Sequence, residues 1–196
     1  MRRWRLKGCL PRPGHRGGVM DQTYITPEVK ALIGMEGEPQ TCWEPVERSE
    51  IRRFAQAVMD DDPIFWNDDY AKNTRYGGVV APPLFPLFAH RRPPDTPDPL
   101  AEAVTNPDFD GFAGLMTTGL PPVPLPHLPR LLNGGNEVEF YQLPRLGDRI
   151  TARSKYLDIY EKTGRSGTMV FIVIETRYTN QHDELLMVSR VTLIRR

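Results

Sequence analysis

A run of three aspartates at residues 60–62, followed by Pro63, is the densest group of side chains in the sequence that could do chemistry. Carboxylates act as general bases in catalysis, and they bind hard cations when several are spaced around one point. Three consecutive aspartates lack the spaced ligands of a dedicated calcium loop. We therefore predict that this run ends a helix in a solvated loop and that it holds no metal.

Four histidines are the other candidate acid–base groups. His90 follows an apolar stretch, His127 lies in a proline-rich segment, His182 lies in a predicted turn, and His15 lies near the N-terminus. A lone histidine in such settings is more often structural or solvated than catalytic. None of the four is therefore predicted to be a general base.

The segment GGVVAPPLFPLFAH, which starts at Gly77, predicts a tight turn into a buried helix over residues 82–90. Glycine tolerates backbone conformations that other residues avoid, and prolines are accepted only in the first turn of a helix. The helix is apolar nearly all round, which is typical of a buried one. Four of its side chains are expected to face the sheet or a subunit interface: Leu84, Phe85, Leu87 and Phe88.

A short helical stretch in DDYAKNTRY leads into this segment, and two other helices lie before it. Thr26 and Pro27 suit the N-cap and first helical position of a short helix that ends at Gly34. The stretch SEIRRFAQAVMD predicts a longer helix with Ser49 as N-cap, and its apolar residues share one face: Ile51, Phe54, Ala55 and Val58. The acidic run therefore directly follows a helix that packs on the core.

The last third of the chain holds four β-rich stretches: NEVEFYQL, DRITARSKYLDIY, GTMVFIVIETRYTN and ELLMVSRVTLIRR. Turns at residues 144–148, 163–167 and 180–183 separate them, and this spacing predicts an antiparallel meander. An earlier strand in QTCWEPVE would complete a sheet of about five strands. The predicted fold class is α+β, a single domain over residues 20–196 whose sheet wraps around the apolar helix.

Residues 91–130 are rich in proline and show no sustained helical or strand period. Loops of this length in compact domains usually act as lids or are disordered linkers. The apolar residues Phe109, Phe112, Leu115 and Met116 favour an insertion that packs on the rest of the domain, although a loose insertion is the alternative.

The run FAQAVMDDDPIFWNDDYAKNTRYGGVVAPP resembles the signature of the MaoC-like hydratase family, in which a helix leads to G-D-x-N-P-I-H-x-D and then to a glycine turn and A-H-G. The family aspartate falls on Asp60, and Pro63 and Ile64 match the signature. The family histidine position holds Phe65, and the following aspartate position holds Asn67. The A-H-G motif corresponds to APP at residues 81–83, and NEVEFYQLPRLGDRI extends the resemblance into the β-rich third.

This resemblance implies a single hot-dog fold and an enoyl-thioester hydratase or dehydratase, in which an aspartate and a histidine deprotonate the water that attacks C3. Backbone N–H groups at the start of the central helix would stabilise the thioester oxygen. Asp60 is the implied catalytic residue, and a phenylalanine at position 65 cannot accept a proton. The implied substrate-binding residues are Gly77, Gly78, Val79, Ala81, Pro82 and Phe85.

The APP ending is closer to the N-terminal dehydratase-like branch of the family, whose members often form the substrate-binding half of a two-part enzyme. The resemblance therefore implies an acyl-CoA or acyl carrier protein thioester as substrate, no cofactor, and a homodimer or a heterodimer with a histidine-bearing hot-dog subunit. The basic residues Arg145, Arg149, Lys162 and Arg165 are candidates for contacts with CoA phosphates.

Two other functions fit the same signature. A non-catalytic protein that holds an acyl thioester or forms a structural dimer would also dispense with the histidine. A thioesterase on this fold would need an acid or a glutamine on the central helix, and none lies between Pro82 and Arg91. The hydratase subunit is the preferred interpretation.

Composition and charge argue against several classes of protein. The 25 basic and 25 acidic residues balance, but six basic residues and no acid lie in the first nineteen, so the remaining nineteen basic and 25 acidic residues give a net charge of minus six. An acidic body is not typical of nucleic-acid binders. Two cysteines form no metal or disulfide pattern, and no apolar run is long enough to span a bilayer, so we expect a cytoplasmic protein without a membrane partner.

Residues 1–19 are predicted to be a disordered basic tail or a misassigned start, because they lack both an apolar face and a partner motif. A chain that begins at Met20 is therefore expected to keep the melting temperature of the full chain. Differential scanning calorimetry of both forms checks this, and a drop of several degrees would reject it.

Overall fold

In the computed structural model, the described residues are 23–90, 119–164 and 167–196, together with residues 95, 101 and 105. The predicted tail and most of the predicted insertion lie outside them. The helices are α1 (Pro27–Ala31), α2 (Arg48–Ala57), α3 (Asp68–Lys72) and α4 (Phe85–Ala89), with a 3-10 turn at Pro63–Phe65. The strands are β1 (Gln40–Thr41), β2 (Leu131–Phe140), β3 (Thr151–Gly164), β4 (Gly167–Thr179) and β5 (Leu185–Arg195).

The five strands form one antiparallel sheet in the order β1-β3-β4-β5-β2. Strands β3, β4 and β5 pair with their neighbours along the chain, as a meander requires. The prediction that β2 also joins this meander beside β3 is wrong, because β2 pairs with β5 at the far edge of the sheet. The turn between β2 and β3 must therefore carry the chain across the width of the sheet.

Strand boundaries differ from the predicted ones at two places. β2 begins at Leu131, earlier than the predicted start at Asn136, and a bulge between Asn133 and Gly135 lets the strand continue through two glycines. Gly135 has φ +138°, a conformation that glycine adopts readily. The early strand, β1, is only two residues long. Beyond Thr41 the chain runs beside the segment that leads into β3 and is joined to it by separate hydrogen bonds, such as that from Cys42 N to Ile150 O (2.8 Å).

The first residues of α1 and α2 show whether the two predicted N-caps are correct. The N-cap role of Thr26 is confirmed, since its side chain accepts a hydrogen bond from Val29 N at 3.2 Å. The N-cap role of Ser49 is wrong. Helix α2 begins at Arg48, because Ile51 N already donates to Glu47 O at 3.0 Å and closes the first turn one residue earlier.

An apolar cluster at one end of the sheet joins α2, the loop after it, the turn before α4, and the sheet itself. Phe85 lies at its centre and is fully buried, with the ring of Phe54 from α2 at 5.7 Å in an edge-on arrangement. Sheet residues that pack in the same cluster include Ile150, Ala152, Tyr178 and Met187. The helix predicted over residues 82–90 thus packs against the sheet, although its regular part is only α4.

The four apolar side chains of this helix do not share one environment. Phe85 is buried and Phe88 is half-buried, but Leu84 is 42% exposed and Leu87 is 46% exposed. The two phenylalanines make the expected contact with the sheet within the chain itself. No described helix is both long and apolar enough to cross a bilayer.

A second cluster lies farther along the sheet and includes Tyr156 and Ile172. The segment 119–130 covers it with Leu125 and Leu128, both nearly fully buried. Pro121 O accepts a 2.6 Å hydrogen bond from the Tyr156 hydroxyl, which fixes the segment to β3. The described end of the predicted insertion therefore packs on the domain.

Candidate active site

The acidic run ends α2, as predicted. Met59 has φ +57° and turns the chain, and Asp60 N donates to Ala55 O at 2.9 Å. The half-buried Asp60 carboxylate accepts from Asp62 N at 3.3 Å, and the Asp62 carboxylate accepts from Ile64 N at 3.0 Å. Both side chains therefore hold the shape of the loop, and one oxygen of each is already engaged.

Phe65 occupies the position of the family histidine and is only 4% exposed. It lies in the same apolar cluster as Ile51, Ala55, Val79 and Phe85. Phe65 also lines a cleft of about 330 Å³, together with Trp66 and residues at the start of α2. The loop thus presents an apolar, packed residue where the resemblance leads one to look for a base.

The residues after Phe65 have structural roles. The Asn67 side chain accepts from Tyr70 N at 3.0 Å and caps α3. Trp66 is exposed, and its indole N–H donates to Asp61 O at 3.3 Å. The position of the second family aspartate is therefore a helix cap in this chain.

The glycine turn and the loop that carries Asp60 are joined directly. Gly77 adopts φ +68° and donates to Thr74 O, which closes the turn. Val80 N donates to Ile64 O at 3.3 Å, and Ala81 N donates to Pro144 O at 2.8 Å. The two predicted site segments therefore lie together, beside the turn between β2 and β3.

Few backbone donors remain at the start of α4. Pro82 and Pro83 have no N–H group, and Phe85 N donates to Pro82 O at 2.9 Å. No hydrogen bond from the amides of Gly78, Val79 or Leu84 is found among the described residues. These three backbone N–H groups therefore have no acceptor among the described residues.

No other described side chain replaces the missing histidine. The two ring nitrogens of His90 lie 3.2 Å from Pro86 O and 2.9 Å from Gln40 O, so they fasten α4 to β1. His127 and His182 are exposed and make no side-chain contact with the loop. Burial raises the pKa of Tyr178 to about 12, which makes its hydroxyl a poor base near neutral pH.

The basic residues proposed for CoA phosphates do not converge. Arg149 donates to Trp43 O at 2.9 Å, and Lys162 lies over the stacked rings of Tyr160 and Phe171. Arg165 is outside the described residues. Only Arg145 lies beside the glycine turn, where its guanidinium donates to Tyr76 O at 2.7 Å.

Arg145 lines an open cleft of about 410 Å³ next to this turn. The cleft is formed by residues 75–76 ahead of Gly77 and by residues 140–143 at the end of β2, and it includes a second guanidinium, that of Arg75. Sequence inspection missed Arg75, because an isolated exposed arginine carries no pattern. Across the residues that the structure describes, no cluster of three or more His, Cys, Asp or Glu side chains could hold a metal ion.

Comparison with known proteins finds a matching family model, related sequences and similar solved structures. The family model described as "FAS1-like, dehydratase domain region" matches residues 31–189. A UPF0336 protein of Saccharopolyspora erythraea is 25% identical over 167 residues, which are 85% of this chain and 90% of that protein. A Mycobacterium tuberculosis protein named 3-oxo-4,17-pregnadiene-20-carboxyl-CoA hydratase alpha subunit is 28% identical over 107 residues, which are 52% of this chain and 33% of that protein.

Among solved structures, the ChsH1–ChsH2 complex from Mycobacterium tuberculosis is similar with a TM-score of 0.60 and 18% identity, covering 85% of each chain. The fold is the α+β hot-dog fold that the sequence predicts, with five antiparallel strands. The family model covers well over half of the sequence. The chain belongs to the FAS1-like dehydratase-domain family, and it shares its fold with solved MaoC-like dehydratases.

Proposed function

We propose that this chain is the substrate-binding subunit of an acyl-thioester hydratase or dehydratase and that a partner hot-dog subunit supplies the catalytic aspartate and histidine. The observation that carries the proposal is the burial of Phe65 at the histidine position, within an otherwise retained arrangement of loop, glycine turn and helix. A phenylalanine in an apolar cluster cannot take a proton from water, so this loop lacks the histidine partner that the Asp60 carboxylate would need.

The substrate would lie along the segment from Gly77 to Phe85. The free amides of Gly78 and Val79 can donate to the thioester oxygen, and the neighbouring Ala81, Pro82 and Phe85 form an apolar wall. A preorganised donor is worth most where water is excluded, as it is beside a buried phenylalanine. The substrate is an enoyl or 3-hydroxyacyl thioester, and no cofactor takes part.

An exposed sheet edge supports the need for a second subunit. Within the described residues, β2 pairs only with β5, so the other edge of this ten-residue strand is open. Leu132 on β2 is an exposed large apolar side chain. Long edges with apolar side chains are usually covered by another chain. Two of the similar proteins have names that describe a complex or a subunit, which agrees with a heterodimer.

One observation favours a second candidate, a non-catalytic protein that holds an acyl thioester. Pro82 and Pro83 remove two backbone donors at the start of α4, where the family stabilises the thioester oxygen. Fewer donors weaken stabilisation of a developing charge more than they weaken binding of a neutral thioester.

Co-expression of this chain with a candidate histidine-bearing hot-dog subunit tests the proposal. We expect a stable complex that hydrates crotonyl-CoA, whereas neither subunit alone does so at an ordinary rate. The matched control is the same complex with the partner's loop histidine changed to phenylalanine, which should lose activity and keep its assembly in size-exclusion chromatography. A complex that forms without hydratase activity would reject the subunit role and favour the binding protein.

A further inference from the structure

The cleft of about 410 Å³ beside the glycine turn carries two cations without acidic partners. Arg75 and Arg145 are exposed, and in the described part of the chain neither guanidinium forms an ion pair with a carboxylate. In the part of the chain that the structure describes, the Arg75 guanidinium contacts its neighbour Tyr76, through a 2.7 Å hydrogen bond to the hydroxyl and a 4.9 Å approach to the ring. Both arginines therefore retain donors for an anion.

Two carboxylates that flank the cleft residues in the sequence are already engaged. Glu139, which precedes the cleft on β2, pairs with Arg190 and accepts from the Tyr141 hydroxyl at 2.8 Å. Those contacts lower the pKa of Glu139, so it stays ionised and bound to Arg190. The buried Asp148 accepts from the backbone N–H of Arg145 at 2.8 Å and leaves the guanidinium of that residue unneutralised.

The rest of the lining is aromatic. Tyr76 forms one part of the cleft, and Phe140 and Tyr141, both half exposed, form another. Aromatic rings bind planar groups by stacking, and arginines bind phosphates through several N–H donors at once. The volume also lies within the range of about 300–1,000 Å³ that small-molecule sites occupy. Two guanidiniums next to three aromatic rings form a site that suits a phosphorylated purine nucleotide better than a bare phosphate.

We propose that this cleft binds the 3′-phosphorylated adenine nucleotide of a CoA thioester. This inference rests on the proposed function, since it assigns the cleft to the carrier of the thioester that would lie at Gly77–Gly78. Arg75 and Tyr76 immediately precede this turn, and Arg145 bonds to Tyr76, so the nucleotide and acyl sites are contiguous along the chain. The carrier is then CoA and not an acyl carrier protein, which bears phosphopantetheine without the nucleotide.

The test is isothermal titration calorimetry of the full chain with adenosine 3′,5′-bisphosphate, which carries no acyl group. We expect binding that weakens as salt rises, because exposed charges are screened. Arg75→Met should weaken binding about tenfold, the loss expected for one charge-assisted hydrogen bond. The matched control is Arg153→Met, which removes an exposed arginine of β3 outside the cleft and should leave binding unchanged.

The outcomes separate this inference from the proposed function, because nucleotide binding is measured without turnover. No binding of the bisphosphate at millimolar concentration would overturn the inference, and so would equal losses in Arg75→Met and Arg153→Met. Binding of phosphopantetheine alone, lost in Arg75→Met, would overturn the nucleotide assignment and identify a carrier protein. Nucleotide binding with the expected loss in Arg75→Met supports the cleft, even if the co-expressed complex proves inactive.

Discussion

Phe85→Ala is expected to lower the free energy of unfolding by about 3–5 kcal/mol, the usual range for truncation of a buried phenylalanine. Phe85 is fully buried, and its ring contacts Phe54 at 5.7 Å and Phe88 at 5.9 Å between centroids. Truncation would leave a cavity between α2, α4 and the sheet, and rigid elements on three sides limit how far it can collapse. Chemical denaturation followed by circular dichroism measures the change.

The matched control is Leu87→Ala, two residues along the same helix. Leu87 is 46% exposed, so its truncation in the isolated chain should cost less than about 1 kcal/mol. A loss below about 1 kcal/mol for Phe85→Ala would mean that α4 does not pack on the sheet as described. If a subunit covers Leu87, the effect of Leu87→Ala will instead depend on protein concentration, because assembly adds to stability by mass action.

Much of the fold could be predicted from local patterns. The strand stretches and the turn at residues 144–148 follow from alternating apolar residues and from local side-chain bonds, such as that between Asp148 and Arg145 N. The pairing of β2 with β5 joins residues that are about fifty positions apart, and no local pattern specifies it. The start of β2 was missed for a related reason, since its bulge passes through glycines that locally indicate a loop.

Part of the candidate site could likewise be predicted from the sequence, and part of it could not. The sequence order of Asp60, Phe65 and Gly77 could be aligned with a family signature, and the structure joins those segments through Val80 N and Ile64 O. The apolar helix gave no indication that Leu84 and Leu87 would be exposed, because a helix that is apolar all round has no polar face to mark its outside. The cleft with Arg75 combines two segments that lie more than sixty residues apart, so only the folded chain reveals it.

The second large expected effect is a low catalytic rate of the isolated chain. It follows from Phe65, which stands where the resemblance places the catalytic histidine. Loss of a positioned acid–base group usually lowers the rate by a factor of about 10²–10⁴. The chain alone should therefore hydrate crotonyl-CoA far more slowly than the ordinary enzymatic rate of about 10 s⁻¹. Asp60 and the amides of Gly78 and Val79 would leave only trace activity.

Phe65→His is not a clean test of this expectation. It would place a polar imidazole in the space of a 4% exposed ring among apolar neighbours, and a buried polar group without a hydrogen-bond partner is destabilising. Trp66 and Asn67 also hold the loop through Asp61 O and Tyr70 N, so the new side chain need not reach a substrate. Failure to gain activity would therefore reflect the packing of the loop as much as the chemistry.

The unmodified chain and Asp60→Asn give the decisive comparison, measured as the loss of enoyl absorbance of crotonyl-CoA over time. We expect near-background turnover from the unmodified chain and a further decrease in the variant, because Asp60 is the carboxylate that the resemblance aligns with the family aspartate. Asp60→Asn keeps an oxygen that can accept from Asp62 N, so the loop should hold its shape. An ordinary rate from the isolated chain, unchanged in Asp60→Asn, would mean that this subunit has a complete catalytic site elsewhere and that the role assigned to Asp60 is wrong.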